Sequence, residues 1–162
     1  MNLNIRKAEN TKKDCSLIFE LANDDIVRAN SFSTDKILWE NHCVWYEKAL
    51  SDNNLLFFLV FSDDSFVGQI RFKRNSSDSS ECIVSLSITE EFRGKGLSSD
   101  FLQLGIEELK KIWSDVYSVI AEVKVSNAAS NKLFNRNFSL LQSINIYEYK
   151  IFGGGDRKST RL

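Results

Sequence analysis

The sequence contains no proline, only one histidine and no apolar stretch long enough to cross a membrane. Its first residues lack the apolar run of a secretory signal peptide, and no Cys, His, Asp or Glu cluster has the spacing of metal ligands. We therefore expect a cytoplasmic protein without a metal site. The formal net charge of -1 gives no general attraction to nucleic acid or to a membrane surface, so neither is an expected partner.

The cysteines are few and do not form a disulfide pattern. Cys15, Cys43 and Cys82 are odd in number, widely spaced and set in apolar surroundings, which predicts reduced core thiols. With 43% hydrophobic residues the chain is too apolar to be disordered, and its 162 residues suffice for one packed core but not for two ordinary ones. We predict a single domain at 1–152 and a flexible tail at 153–162, where apolar periodicity is lost.

Hydrophobic periodicity predicts alternating strands and helices. The predicted strands are at 3–8, 55–61, 66–73, 117–125 and 144–151, with one more around Cys82. The predicted helices are at 12–21 and 36–50, after the loop described next, and between the last two strands. The turn between 61 and 66 is rich in Ser and Asp, which indicates a hairpin.

The segment from Phe92 to Ser98 joins an alternating strand to an amphipathic helix. Gly94 and Gly96 remove side chains from the turn, so that backbone N–H groups can converge on a phosphate at the positive end of the helix. The spacing does not match a Walker loop, and Ser99 stands where a Rossmann fingerprint needs its third glycine. A Gly-rich turn before a surface helix is the simpler alternative.

This loop resembles motif A of the GNAT N-acetyltransferases, Arg/Gln-x-x-Gly-x-Gly/Ala, with Arg93, Gly96 and Ser98 in the three fixed positions. A second segment resembles motif B of the same family, Asn-x-x-Ser-x-x-Leu-Tyr/Phe-x-x-x-Gly-Phe. The matching residues are Asn127, Ser130, Leu133, Phe134 and Phe138, while Asn137 replaces the usual glycine. Asn127 could also be a plain helix cap.

The resemblance implies a mixed α/β (α+β) fold: a mostly antiparallel central sheet flanked by helices, with splayed central strands at the CoA site. It also implies acetyl-CoA as co-substrate, with its pyrophosphate on the loop and its pantetheine arm beside the splayed strand. The residues assigned to CoA are Leu86, Ser87, Ile88, Arg93, Gly94, Lys95, Gly96, Leu97, Ser98, Asn127, Ser130 and Phe134.

The first half of the chain contains the residues that indicate the class of acceptor substrate. Residues 22–33, followed by Ile37, Trp39, His42, Trp45 and Leu50, resemble the sugar-nucleotide N-acetyltransferases that modify the 4-amino group of a UDP-linked dideoxy sugar in pseudaminic acid biosynthesis. Arg suits a pyrophosphate and aromatic residues suit apolar ring faces. The resulting candidates for acceptor binding are Arg28, Asn30, Phe32, His42, Trp45, Gln69 and Arg71. For His42 a role as a bonded core residue is equally open.

The family's reaction is direct attack of an amine on the thioester. The resemblance implies that backbone N–H groups of residues 84–87 would polarise the thioester carbonyl. Glu81 or His42 could accept the proton. Motif B often supplies a tyrosine as the acid, but this chain has Phe134 there, which leaves Tyr147 or Tyr149 of the predicted last strand, or no side chain at all.

We therefore predict an N-acetyltransferase whose partner is a small-molecule amino-sugar nucleotide. One alternative is a protein N-terminal or ribosomal-protein acetyltransferase of the same fold. The other is a noncatalytic acyl-CoA-binding domain, which the phenylalanine at position 134 motivates. The sequence does not determine the oligomeric state, and a homodimer is compatible with it.

Overall fold

The computed structural model describes residues 1–151, and its centre is a five-stranded sheet. The strands are β1 (Leu3–Lys7), β2 (Leu55–Ser62), β3 (Ser65–Lys73), β4 (Glu81–Ile88) and β5 (Ser118–Ala121). They lie in chain order, and every neighbouring pair is antiparallel except β4 and β5, which are parallel. The expected mixed sheet with helices on its faces is confirmed.

Within residues 1–151, five helices accompany the sheet: α1 (Lys12–Ala22), α2 (Asp25–Asn30), α3 (Trp39–Ser51), α4 (Ser98–Ile112) and α5 (Ala128–Asn137). A short 3-10 turn, Glu90–Phe92, precedes the glycine loop. The predicted strand–loop–helix unit around this loop is present, because β4 leads through the 3-10 turn and the loop into α4.

Side-chain alternation along the strands produces a core on each face of the sheet. On one face, Phe58, Ile70 and Val84 pack with Phe101 and Leu109 of α4. On the other face, Phe57 and Leu59 pack with Ile18 of α1 and Tyr46 of α3. Because α1 and α3 cover mainly the β2 part of that second face, the β3–β4 part retains half-buried and exposed polar side chains.

Two helix boundaries differ from the prediction. Residues 25–30, expected as a loop, form α2, because the Asp24 carboxylate accepts hydrogen bonds from the backbone N–H groups of Ile26 and Val27 and so caps a short helix. The next helix begins at Trp39 and not at position 36. Its N-cap is therefore Leu38, which has no side chain able to cap it.

The predicted last strand is wrong. Residues 139–150 form neither a helix nor a strand, although apolar residues alternate there, and the side chains of Ile144, Ile146 and Tyr149 are exposed. A strand needs a neighbour to bond its backbone, and periodicity alone does not supply one. The expected strand at 117–125 is likewise reduced to Ser118–Ala121, because its pairing with β4 stops there.

Candidate active site

The central strands separate where the resemblance places the CoA arm. β4 pairs with β5 only from Glu81 to Val84, opposite Ser118 to Ala121. The rest of β4, from Ser85 to Ile88, remains bonded to β3 but has no β5 partner on its other edge. An extended amide-bearing ligand can use such an edge as if it were an added strand.

The glycine loop ends at a helix start that lacks a side-chain cap. Gly94 and Gly96 have φ values of 70° and 72°, in the left-handed region that favours glycine. Within residues 1–151, no hydrogen bond occupies the backbone N–H groups of residues 94–100, and Leu97 offers no cap to α4. Free N–H groups at the positive end of a 15-residue helix form a site for an anion such as a pyrophosphate.

The Arg93 side chain bonds to the end of β4 and to the Asp24 carboxylate. Its Nε donates to the Ile88 carbonyl at 2.9 Å, and its Nη2 donates to Asp24 Oδ1 at 2.9 Å. Burial acts to raise the pKa of Asp24, but the bonds from Arg93 and from the α2 backbone outweigh it, so the pKa lies below its ordinary 3.8. Asp24 was not among the site residues proposed from the sequence. The signal that could have found it is its position as the N-cap of α2.

The α5 residues assigned to CoA have structural contacts of their own. Asn127 Oδ1 caps α5 by accepting from the Ser130 backbone N–H at 3.1 Å. The Phe134 ring packs edge-on against Phe138, with centroids 4.9 Å apart, and contributes to the α4 side of the core. Through Phe134 and Phe138, α5 therefore packs against the same core as α4.

Two polar cross-strand pairs occupy the open part of the other sheet face. Gln69 lies opposite Ser87 and Arg71 lies opposite Ser85 in the β3–β4 register. The Gln69 Nε2 donates to Ser87 Oγ at 2.9 Å, and the Arg71 Nη2 donates to Ser85 Oγ at 3.3 Å. We call these two pairs the polar ladder. It runs along the same segment of β4 that lacks β5.

Arg71 is held among aromatic rings next to a groove. Its guanidinium carbon lies 4.9 Å from the Trp45 ring centroid and 5.5 Å from that of Phe57. No carboxylate of the described chain pairs with it, and burial together with the charge of Arg28 lowers its pKa to about 10, so it stays protonated at neutral pH. The groove encloses about 400 Å³ and is lined by Trp45, Lys48, Ala49, Asp52, Leu55, Arg71, Lys73, Ile83 and Ser85.

His42 lies in the core between α1 and α3. The residue is 1% exposed, its Nε2 lies 2.8 Å from the Cys15 carbonyl oxygen, and Phe19 and Trp39 flank its ring. Burial lowers its pKa below 6.5, which keeps the ring neutral at pH 7. Trp45, which is 39% exposed and lines the groove, has its ring centroid 5.6 Å from that of His42.

Arg28 is used mainly inside the α2 segment. Its guanidinium donates to the carbonyls of Ala22, Ser33 and Asp35 and to the Ser31 hydroxyl. The helix that carries Arg28 and Asn30 has no buried residue, and Phe32, just beyond it, is partly exposed. Arg28 nevertheless lies near enough to Arg71 for its charge to lower the pKa of Arg71.

The structure does not bring the other proton-transfer candidates to the ladder. Glu81 begins β4, six residues before Ser87, which along a strand corresponds to roughly 20 Å. Tyr147 is 89% exposed in the segment that forms no strand. Phe134 carries no acidic proton. Within residues 1–151, therefore, no titratable side chain proposed from the sequence adjoins both Gln69 and the free edge of β4.

The model of the acetyltransferase (GNAT) family matches residues 18–139, which include α1, the glycine loop and α5. The chain belongs to this family. It is a GNAT N-acetyltransferase that uses acetyl-CoA, and the splayed β4 and the uncapped α4 are the features that fit this co-substrate.

Solved GNAT structures resemble the chain in fold. The Vibrio cholerae spermidine N-acetyltransferase in complex with CoA and spermine has a TM-score of 0.73 at 18% identity, covering 83% of this chain and 78% of that one. Campylobacter jejuni PseH with acetyl coenzyme A has 0.67 at 20%, covering 88% and 92%. The ribosomal L7/L12 alpha-N-protein acetyltransferase RimL has 0.71 at 18%, covering 85% and 76%. No curated protein shows significant similarity to the sequence.

Two further observations concern partners. Among the helices of residues 1–151, none has the length and apolar character that crossing a membrane requires. In the same range, no three His, Cys, Asp or Glu side chains are grouped in a way that could hold a metal ion.

Proposed function

We propose that this GNAT enzyme acetylates the amino group of a nucleotide-linked amino sugar, of the UDP-4-amino-4,6-dideoxyhexose type. The observation that carries the proposal is Arg71: a half-buried guanidinium that no carboxylate of residues 1–151 pairs with, stacked on Trp45 at the edge of a groove. A charged group taken partly out of water is costly unless an opposite charge joins it, so Arg71 calls for an anionic ligand.

The groove around Arg71 supports a phosphate-bearing acceptor. Lys48 and Lys73 line it together with Arg71, and Asp52, which pairs with Lys73, is the single carboxylate in its lining. Trp45 offers a partly exposed aromatic face for a sugar or a base. A nucleotide sugar, in which a pyrophosphate lies between a sugar ring and a planar base, matches this combination of charge and shape.

The same charges disfavour a polyamine acceptor. Spermidine is a polycation at neutral pH, and Arg71, with Arg28 nearby, would repel it. A peptide N-terminus adjoining acidic residues would be compatible with the charge, which makes acidic peptides the acceptors to test against sugars.

In the reaction, the neutral amine nitrogen of the acceptor bonds to the thioester carbonyl carbon of acetyl-CoA, and the C–S bond breaks. The nitrogen loses a proton and the CoA thiolate gains one, so the products are an amide and free CoA thiol. The protein aligns the two substrates and polarises the carbonyl with N–H groups on the free edge of β4. With phenylalanine at position 134, we propose that water protonates the thiolate.

The experiment is a thiol-release assay with a panel of amines: UDP-4-amino-4,6-dideoxyhexoses and their dTDP counterparts, spermidine, and acidic and basic peptides. We expect turnover with a nucleotide sugar. Arg71→Gln should raise its KM about tenfold or more by removing a charge-assisted contact, with the KM for acetyl-CoA unchanged. Preferential turnover of spermidine or of a peptide would refute this acceptor class, and no turnover of any amine would favour the noncatalytic alternative.

A further inference from the structure

Among the described residues, one polar group of the Gln69 side chain has no hydrogen-bond partner. Its Nε2 donates to Ser87 Oγ, but its Oε1 is buried and accepts no hydrogen bond from the described chain. Ser87 Oγ can bond only one end of the amide, so one polar group stays unpaired in either orientation of the side chain. The residue is only 6% exposed, which makes this a costly arrangement for a purely structural glutamine.

Gln69 and Arg71 both lie on β3 opposite the segment of β4 that has a free edge. Gln69 is two residues from Arg71, so the two side chains project from the same face of the sheet. Two residues along a strand span about 7 Å, which is comparable to the distance across one pyranose ring from an amino nitrogen to a phosphate on the opposite side. Its partner Ser87 lies in the part of β4 that has no β5 neighbour.

We propose that Gln69 Oε1 accepts a hydrogen bond from the reacting amine of the acceptor. This bond would hold the amine about 7 Å, or two residues along β3, from the anion bound at Arg71. This inference rests on the proposed function and deepens it. It assigns to the polar ladder the selection of acceptors by the distance between their amine and their anionic group.

The role suits the chemistry of an amide. Gln69 cannot take the proton, but by holding one N–H of a neutral amine it directs the nitrogen lone pair away from itself. Arg71 contributes to the same step, because a nearby positive charge favours the neutral over the ammonium form of the amine.

The buried position of Oε1 requires that part of the protein yields when the acceptor enters. α2 is suited to this. None of its residues is buried, and polar contacts such as Asp24 with Arg93 and Lys36 with Asp25 hold its segment in place. The charge of its Arg28 is, after burial, the second cause that lowers the pKa of Arg71.

The decisive variant is Gln69→Met, which keeps the side-chain length and removes both amide groups. We expect the melting temperature of the ligand-free protein to stay the same or to rise by up to about 4 °C, because a buried group without a partner is removed. We expect kcat/KM for the acceptor to fall about tenfold, with the KM for acetyl-CoA unchanged. A melting temperature lowered by several degrees with intact acceptor kinetics would overturn the proposal.

Gln69→Glu adds a readout that a structural role would not move. A carboxylate at this position stabilises the ammonium form of the bound amine, so the acid limb of the kcat profile should shift upward by about one pH unit. An acid limb that stays in place contradicts the proposal. Gln103→Met, an exposed position on α4, is the matched control and should change neither melting temperature nor kinetics.

The substrate panel separates this proposal from the proposed function. If nucleotide sugars are inert but spermidine or a peptide is acetylated, the acceptor class is wrong, and the Gln69 variants are assayed with the active amine, where the same tenfold loss is expected. If no amine is acetylated, both proposals are refuted.

Discussion

The Asp24 carboxylate and the Arg93 guanidinium meet at 2.9 Å, although 69 residues separate them in the chain. Asp24 Oδ1 also accepts the backbone N–H groups of Ile26 and Val27 at the start of α2. A single side chain thus joins the start of α2 to the loop that we expect to bind the pyrophosphate.

Two substitutions of Asp24 separate its two roles. Asp24→Asn keeps an oxygen that can cap α2 but removes the charge that pairs with Arg93, and should lower the free energy of unfolding by about 1–2 kcal/mol. Asp24→Ala also removes the cap and should cost about 1 kcal/mol more. Urea unfolding at pH 7 measures both. Equal losses for the two variants would show that the cap contributes nothing.

The pH dependence of stability gives an independent test of the same pair. Because the pKa of Asp24 in the folded protein lies below its ordinary 3.8, its contribution is fully present above about pH 4 and is lost as the pH falls through the lower, folded value. Asp24→Asn should therefore flatten the stability curve below pH 4, as measured by thermal melts from pH 2.5 to 5. A curve parallel to the parent's would contradict the pairing.

The glycine loop gives a prediction about CoA binding. A Cβ atom added at Gly96 would meet nothing within 4 Å, so in the ligand-free loop the obstacle to substitution is the φ of 72°. Gly96→Ala should cost about 1–2 kcal/mol in the bound loop conformation, which corresponds to roughly tenfold weaker CoA binding. Gly96→Asn, which tolerates this φ better, is the comparison. Calorimetric titration with CoA measures both, and equal affinity of the parent and both variants would remove the loop from the CoA site.

The sequence predicts a candidate CoA site because the signals for it are local. The alternation from Cys82 to Ile88, the two glycines and the apolar stripe of α4 all lie within about thirty residues, and each reflects a backbone requirement that can be read from neighbouring positions. The uncapped helix start and the end of β4–β5 pairing agree with that local pattern.

The proposed acceptor site depends on contacts between distant segments, which periodicity does not show. The pairing of Asp24 with Arg93 and the position of Gln69 opposite Ser87 follow only once the sheet register is known. The prediction of a strand at 144–151 is wrong for a related reason, because apolar alternation does not specify which neighbouring strand would pair with it. The predicted tail, 153–162, lies outside the described residues.

Arg28 and Arg71 should respond differently to truncation. Arg28 donates to three backbone carbonyls, so Arg28→Ala leaves these acceptors unbonded and should lower the melting temperature by a few degrees as well as weaken acceptor binding. Arg71→Gln, in contrast, should weaken acceptor binding with little loss of stability. Thermal melts with acceptor titrations make the comparison. Acceptor binding lost in Arg28→Ala at an unchanged melting temperature would instead favour a direct contact between Arg28 and the ligand.

The last prediction concerns His42, for which the sequence left a core role and a role at the acceptor equally open. The structure encloses its ring among Phe19, Trp39 and Tyr46 and bonds it to the Cys15 carbonyl, so we expect a core role. His42→Gln retains a donor for that carbonyl but loses the ring contacts, and should lower the free energy of unfolding by about 2 kcal/mol with kcat and KM little changed.

The same variant should change how stability depends on pH. Burial lowers the pKa of His42 below 6.5, the neighbouring Arg71 charge lowers it further, and the bond to Cys15 only partly offsets them. Protonation then favours the unfolded chain, so the stability due to neutral His42 is fully present above about pH 6.5 and declines as the pH falls toward the lower, folded pKa. In thermal melts between pH 5 and 7.5, His42→Gln should lack this decline. A collapse of kcat in His42→Gln, at unchanged stability and with the decline still present, would instead make His42 the base.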